Sequence, residues 1–140
     1  MKSAFSQISK VKKQKLNKIE NELARIRLDI LEIETGIHEI YVSIKKLTVP
    51  KHGAVNILAS YQEQRRILNV EKKHLEQNLE AKNIELSKKQ FEYKNAQIDF
   101  EKIKYLEEQE LMQKIDKLNK EEQKNMDEIS NILQYKRSKV

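Results

Sequence analysis

The chain has 140 residues, with no Cys, no Trp, two Gly and one Pro; 36% of it is charged and 6% aromatic. So little Gly and Pro excludes the turn chemistry on which β-sandwiches, barrels and meanders depend, and the Lys-, Glu-, Leu- and Ile-rich composition is that of long solvated helices. The lack of Cys excludes a disulfide framework and a thiolate zinc site, no apolar run reaches the roughly 18 residues of a membrane span, and a net charge of +6 decides little by itself.

The chain starts MKSAFSQISKVKKQK, without the continuous apolar stretch of a signal peptide, so a cytoplasmic protein is expected. Lys2, Lys10, Lys12, Lys13, Lys15 and Lys18 stand against a lone Glu20. Readers of single-stranded nucleic acid interleave aromatics with their basic residues, and only Phe5 is available here, so no nucleic-acid partner is expected. A solvated helix end and a contact for an acidic protein surface both remain open.

Leu16, Ile19, Leu23, Ile26, Ile30, Ile33, Ile37, Ile40, Ile44 and Leu47 follow spacings of three and four without a miss. That is a heptad seam. Phe5 is in phase upstream, but Ser9 and Lys12 then take core positions and weaken the first turns. Gly36 softens the helix without breaking it. Ala24, Leu28, Leu31 and Val42 fall on the opposite face, with Tyr41 beside it and Thr35 and His38 between. An outward apolar stripe on a hairpin is a contact surface. Leu28, Leu31, Tyr41 and Val42 are therefore candidate partner-binding residues, unless a third helix covers them.

The one strong break is Thr48-Val49-Pro50-Lys51-His52-Gly53, where Pro50 disfavours helix at Val49 and Gly53 can take a positive φ. It predicts helices over about 3–48 and 54–137 and a turn over about 49–53. A short turn folds the helices back antiparallel, so that residue i faces roughly residue 101 − i, with Leu23 near Leu79 and Ile33 near Leu68. The fold class is all-α, a long two-helix antiparallel coiled-coil hairpin forming a single domain over 1–140.

In the second helix Leu58, Tyr61, Leu68, Leu75, Leu79, Leu86, Tyr93, Ala96, Phe100 and Ile103 share one seven-residue phase, with Arg65, Lys72, Lys82 and Lys89 on it. Lysine stems can lie on a seam while their charges reach water. Past Ile103 the register shifts by one residue to Leu111, Ile115, Leu118, Ile129 and Ile132, which relaxes a supercoil. The helices are unequal, about 65 Å and 125 Å long at 1.5 Å per residue. About 40 C-terminal residues are thus expected to overhang without a partner from the same chain.

Catalytic chemistry is missing. Neither Gly stands in a phosphate-cradling loop. His38, His52 and His74 lack metal-ligand spacing, and Glu107-Glu108 and Glu121-Glu122 have no concavity to shift their pKa values. The chain is expected to be no enzyme and to need no cofactor or metal.

The run Glu122-Gln123-Lys124-Asn125-Met126-Asp127-Glu128 resembles a signature closing the last helix of the FliJ family of flagellar type III export proteins. Phe100–Glu108 is similar to that family's Glu-Lys-Leu stretch, and length, basic balance and the break near residue 50 agree. The resemblance implies a non-enzymatic, stalk-like coiled coil at the cytoplasmic face of the inner membrane, held there through partners and without direct membrane insertion. Those partners would be a hexameric export ATPase, the cytosolic part of an export-gate membrane protein, and export chaperones. Lys10, Lys12, Lys13, Glu122, Asp127 and Glu128 would meet the ATPase ring, and the outward stripe the gate or a chaperone. The first seam is more regular than the family leads one to expect. A passive coiled-coil scaffold or chaperone arm without ATPase coupling is the alternative.

A single seam with no third amphipathic segment predicts a monomeric or weakly self-associating rod. Small-angle scattering should give a radius of gyration far above the roughly 15 Å of a compact domain of this length.

Overall fold

A computed structural model describes residues 4–51, 53 and 55–138. The chain forms two helices, α1 (Ala4–Lys46) and α2 (Val55–Ser138), with no strand among the described residues. Lys2, His52 and the expected helix starts at residues 3 and 54 lie outside them. By internal contacts the chain divides into two compact units: Lys15–Asn95, and Met1–Gln14 with Ala96–Val140.

In the first unit the aliphatic stripe of α1 is the core. Leu16, Ile19, Leu23, Ile26 and Ile40 are buried, with Leu16 4% exposed. Ile30, Ile33, Ile37, Ile44 and Leu47 are half-buried. The α2 side is shallower. Tyr61, Leu68, Lys72, Leu75, Leu79, Lys82, Leu86, Lys89 and Tyr93 are all half-buried, alternating by threes and fours after Leu68. Lysine stems cover aliphatic surface there, while their ammonium groups turn out to acids. Lys89 Nζ lies 2.7 Å from Glu22 on α1 and 3.0 Å from Glu92 on its own helix. Lys82 Nζ lies 3.3 Å from Asp29 and 3.3 Å from Glu85. The Tyr93 hydroxyl donates to Glu20 at 3.0 Å.

These contacts correct the expected register. Asp29 meets Lys82, Glu22 meets Lys89, and a Cβ on Gly36 would lie 3.3 Å from Leu75 Cδ1. Residue i of α1 therefore lies opposite roughly residue 112 − i, so Leu23 does not face Leu79 and Ile33 does not face Leu68. The connection permits this register. Leu47–Pro50 is not helical, with the Leu47 N–H donating back to the Ile44 carbonyl at 3.2 Å, and non-helical chain can advance further per residue than a helix, which rises about 1.5 Å. It runs on past the end of α1, and the first turns of α2 climb back beside it. Leu47, Thr48 and Pro50 line one groove with Asn56, Ile57, Ser60 and Tyr61. Leu58 and Arg65, placed on the seam by their phase, are exposed because α1 has ended before it reaches them. Gly53 closes the turn at a φ of 155°, where a Cβ would come within 2.9 Å of Ile57 Cδ1.

In the second unit Ala96 and Ser9 are buried and Phe5, Lys12, Phe100 and Ile103 half-buried. A small Ser9 leaves room for the Phe100 ring, which lines a groove with it. From Leu111 to Ser138 every residue is exposed, the register-shifted Leu111, Ile115, Leu118, Ile129 and Ile132 included.

The cross-helix links set a pH dependence. The hydrogen bond from Lys89 holds the Glu22 carboxyl below its ordinary range. Bonds to Glu22 and Glu92 raise Lys89, bonds to Glu85 and Asp29 raise Lys82, and the bond to Glu20 raises Tyr93. Glu22 stabilises the fold above the ordinary carboxylate range, and that contribution is lost as pH falls through its lowered pKa. The lysines and Tyr93 stabilise it below their ordinary values, and lose that effect as pH rises through their raised ones. The melting temperature should thus hold level from about pH 5 to about pH 10 and fall on either side. Lys89→Leu should flatten the acid limb and reduce the alkaline one, and at neutral pH it should melt no lower than the parent, because the leucine packs on the α1 stripe while Glu22 and Glu92, left without the lysine, stay exposed enough to be solvated. Melting curves of both proteins across pH check this.

Candidate partner-binding surfaces

Heptad geometry that buries one face of a helix leaves the opposite face to solvent, so apolar residues there have no use inside the hairpin. On α1, Ala24, Leu28, Leu31, Thr35, His38 and Tyr41 are exposed. The Thr35 hydroxyl donates to the Leu31 carbonyl at 2.8 Å and is spent within the helix. Tyr41 is flanked by cations, with Lys45 Nζ 4.7 Å and Lys72 Nζ 6.0 Å from its ring centre. Val42 is half-buried and so less available than the other three. Its neighbours one turn away are His38 and Lys46.

A comparable stripe runs along α2, and the sequence reading missed it. In the first unit Val70, Ile84 and Phe91 are exposed and stand seven or fourteen residues apart, with Gln77 completing the spacing. Phe91 is 67% exposed. In the second unit Ile98, Tyr105 and Met112 repeat the same seven-residue step. That step was the available signal, obscured because charged residues surround each member.

The basic N-terminal turns build one compact feature. Lys13 and Lys104 lie on the same ring, their Nζ atoms 5.3 Å and 5.7 Å from the centre of Phe100. Ser6, Ser9, Lys10 and Gln14 complete the groove around it. Lys10 and Lys13 are exposed and Lys12 is half-buried. Three lysines beside one aromatic form a cationic, partly apolar recess suited to carboxylates on a partner. Glu122, Asp127 and Glu128 are exposed on the bare part of α2.

A family model described as flagellar FliJ protein matches residues 1–139. The chain belongs to the FliJ family. It is thus a flagellar export-related protein, of a family that is a non-catalytic component of export. No curated protein and no solved structure matches it. No described helix of this FliJ-family chain is long and apolar enough to cross a membrane. No group of His, Asp or Glu among the described residues could hold a metal ion.

Exchanging Leu28 and Leu31 for Ser should change unfolding free energy by no more than about 0.5 kcal/mol each, since neither fills the seam. Leu23→Ala, by contrast, should cost about 2 kcal/mol or more. Denaturant titrations of the two variants, read by helical circular dichroism, separate open face from core.

Proposed function

We propose that the protein is a non-enzymatic coupling stalk of the flagellar export apparatus, working in the cytoplasm at the inner face of the membrane. It inserts into a hexameric export ATPase ring and contacts the export gate and export chaperones. The observation that carries this reading is the bare helix from Leu111 onward in a FliJ-family chain, where Leu111, Ile115, Leu118, Ile129 and Ile132 are exposed. A ring lumen supplies the cover that such a segment lacks.

The roles divide by chemistry. Lys10, Lys12 and Lys13, with Glu122, Asp127 and Glu128, carry charge of both signs for complementary sites on the ring. Leu28, Leu31, Tyr41 and Val42 serve the gate or a chaperone, where apolar anchors can each carry about 2 kcal/mol. Enzymatic chemistry has no part in this reading.

The experiment mixes the protein with a hexameric export ATPase and follows ring assembly and ATP hydrolysis. The protein should promote both. Lys10→Glu with Lys13→Glu, or Glu122→Lys with Asp127→Lys, should weaken that effect, and the Leu28→Ser, Leu31→Ser protein should keep it while losing gate or chaperone binding. An ATPase indifferent to the protein would favour a passive coiled-coil scaffold instead.

A further inference from the structure

The hairpin tip has no role in the coupling just described. Between Ile40 and Gln62 the chain carries no Asp or Glu, but it carries Lys45, Lys46 and Lys51, and Arg65 and Arg66 follow shortly after. Within the same stretch Val49, Val55, Ile57 and Leu58 are exposed, Val55 at 82%. We propose that this tip docks end-on onto an anionic lipid bilayer surface, without crossing it.

The arrangement favours a bilayer over an acidic protein. Val49 on the connection and Val55, Ile57 and Leu58 in the first turn of α2 are all exposed at this end, so the apolar surface is built from both segments that meet there. A protein groove takes one face of a single helix, whereas a surface met end-on takes the exposed residues of both segments at the tip. Except for Lys51, which stands in the connection itself, the charges sit behind the apolar end. The register puts Lys45 and Lys46, in the last turn of α1, at the height of Arg65 and Arg66, about 15 Å back from the start of α2. A collar at that height reaches headgroup phosphates while the aliphatic end sits about 5–10 Å into the boundary.

The collar is also available. Lys46, Lys51 and Arg65 make no ion pair among the described residues, and Lys45 rests only on the Tyr41 ring. Arg66 is held by two hydrogen bonds to Glu63, at 2.9 Å and 2.6 Å, and contributes less. The first turn of α2 holds no acidic residue to compete with phosphate for its free N–H groups. Four cations without an ion pair reach the lower end of the roughly four to eight that suffice for anionic lipid, and the apolar tip provides the second signal that stable anchoring needs.

The test uses the full chain and vesicles alone, so its failure leaves the coupling stalk untouched and can be told apart from it. Cosedimentation should show binding to vesicles of phosphatidylcholine mixed with phosphatidylglycerol, and at least about tenfold weaker binding to phosphatidylcholine alone. Added salt should weaken it. Lys46→Glu with Lys51→Glu and Arg65→Glu should lose about tenfold or more, and so should Val55→Ser with Leu58→Ser. Lys117→Glu with Lys120→Glu and Lys124→Glu, the same charge change on the bare part of α2, should bind as the parent does. All three variants alter exposed residues, and matching helical melts confirm that they fold. Three results would each overturn the proposal. These are no preference for the anionic vesicles, as expected of a tip made for an acidic protein; tip variants that bind like the parent; or a control that loses as much as the tip charge variant.

Discussion

Lys72, Lys82 and Lys89 occupy seam positions on α2 that a coiled coil ordinarily fills with Leu or Ile, and Lys82 and Lys89 each draw an acid from α1 to the seam. The methylene stems shield the aliphatic row of α1, and the ammonium groups stay half in water. Burial in the first unit is therefore lopsided: α1 supplies the buried Leu16, Ile19, Leu23, Ile26 and Ile40, and α2 supplies a half-buried cover. Register, the connection and the open surfaces all follow from how these lysines are satisfied.

The two registers that could be drawn for this hairpin differ by about eleven residues, which is about three turns of helix. Such a displacement returns the same faces to each other, so the pattern of Leu and Ile cannot choose between them. Charge can. The tighter register would set Glu22 against Leu79 and leave Lys89 without its acid from α1. The observed one pairs Glu22 with Lys89 and Asp29 with Lys82, and brings Glu20 under the Tyr93 hydroxyl. The connection accommodates the choice because Leu47–Pro50 leaves the helix, and the open start of α2 is the geometric remainder. The bare apolar tip is thus a consequence of electrostatics some way down the seam.

The all-α hairpin, the seam residues of α1 and the exposure of Leu28, Leu31 and Tyr41 were legible in the sequence, because each depends only on the 3.5-residue period. Residues that depend on a partner's position were not. Leu58 and Arg65 have the right phase and are exposed, since phase says nothing about where the opposing helix stops. Ser9 looked like a defect in the seam and is buried, because a small side chain suits the space beside Phe100. The α2 stripe of Val70, Ile84 and Phe91 escaped notice because one apolar residue in seven gives a weak periodic signal next to the seam's two. The pairing of Lys13 and Lys104 on one ring joins residues far apart in the chain, and no local pattern announces it.

A hairpin held by one seam has no shared core through which a change on one face disturbs another. Leu28 and Leu31 on α1, Val55 and Leu58 at the tip, and Leu111 to Ile132 on the bare helix are all exposed, so none of them packs into the seam. Changes at separated exposed sites combine nearly additively. Each surface can therefore be shaped for its own partner without cost to the others. The same independence makes the bare helix hard to sustain on packing, because the seam cannot lend it contacts. Its order rests on continuity with the packed part of α2 and on local pairs such as Lys114 with Glu110, 3.6 Å apart. A helix extended from an existing nucleus escapes the main cost of starting one. The protein can in this way hold an apolar stripe ready in helical form, and a partner that covers it need not supply the energy of folding it.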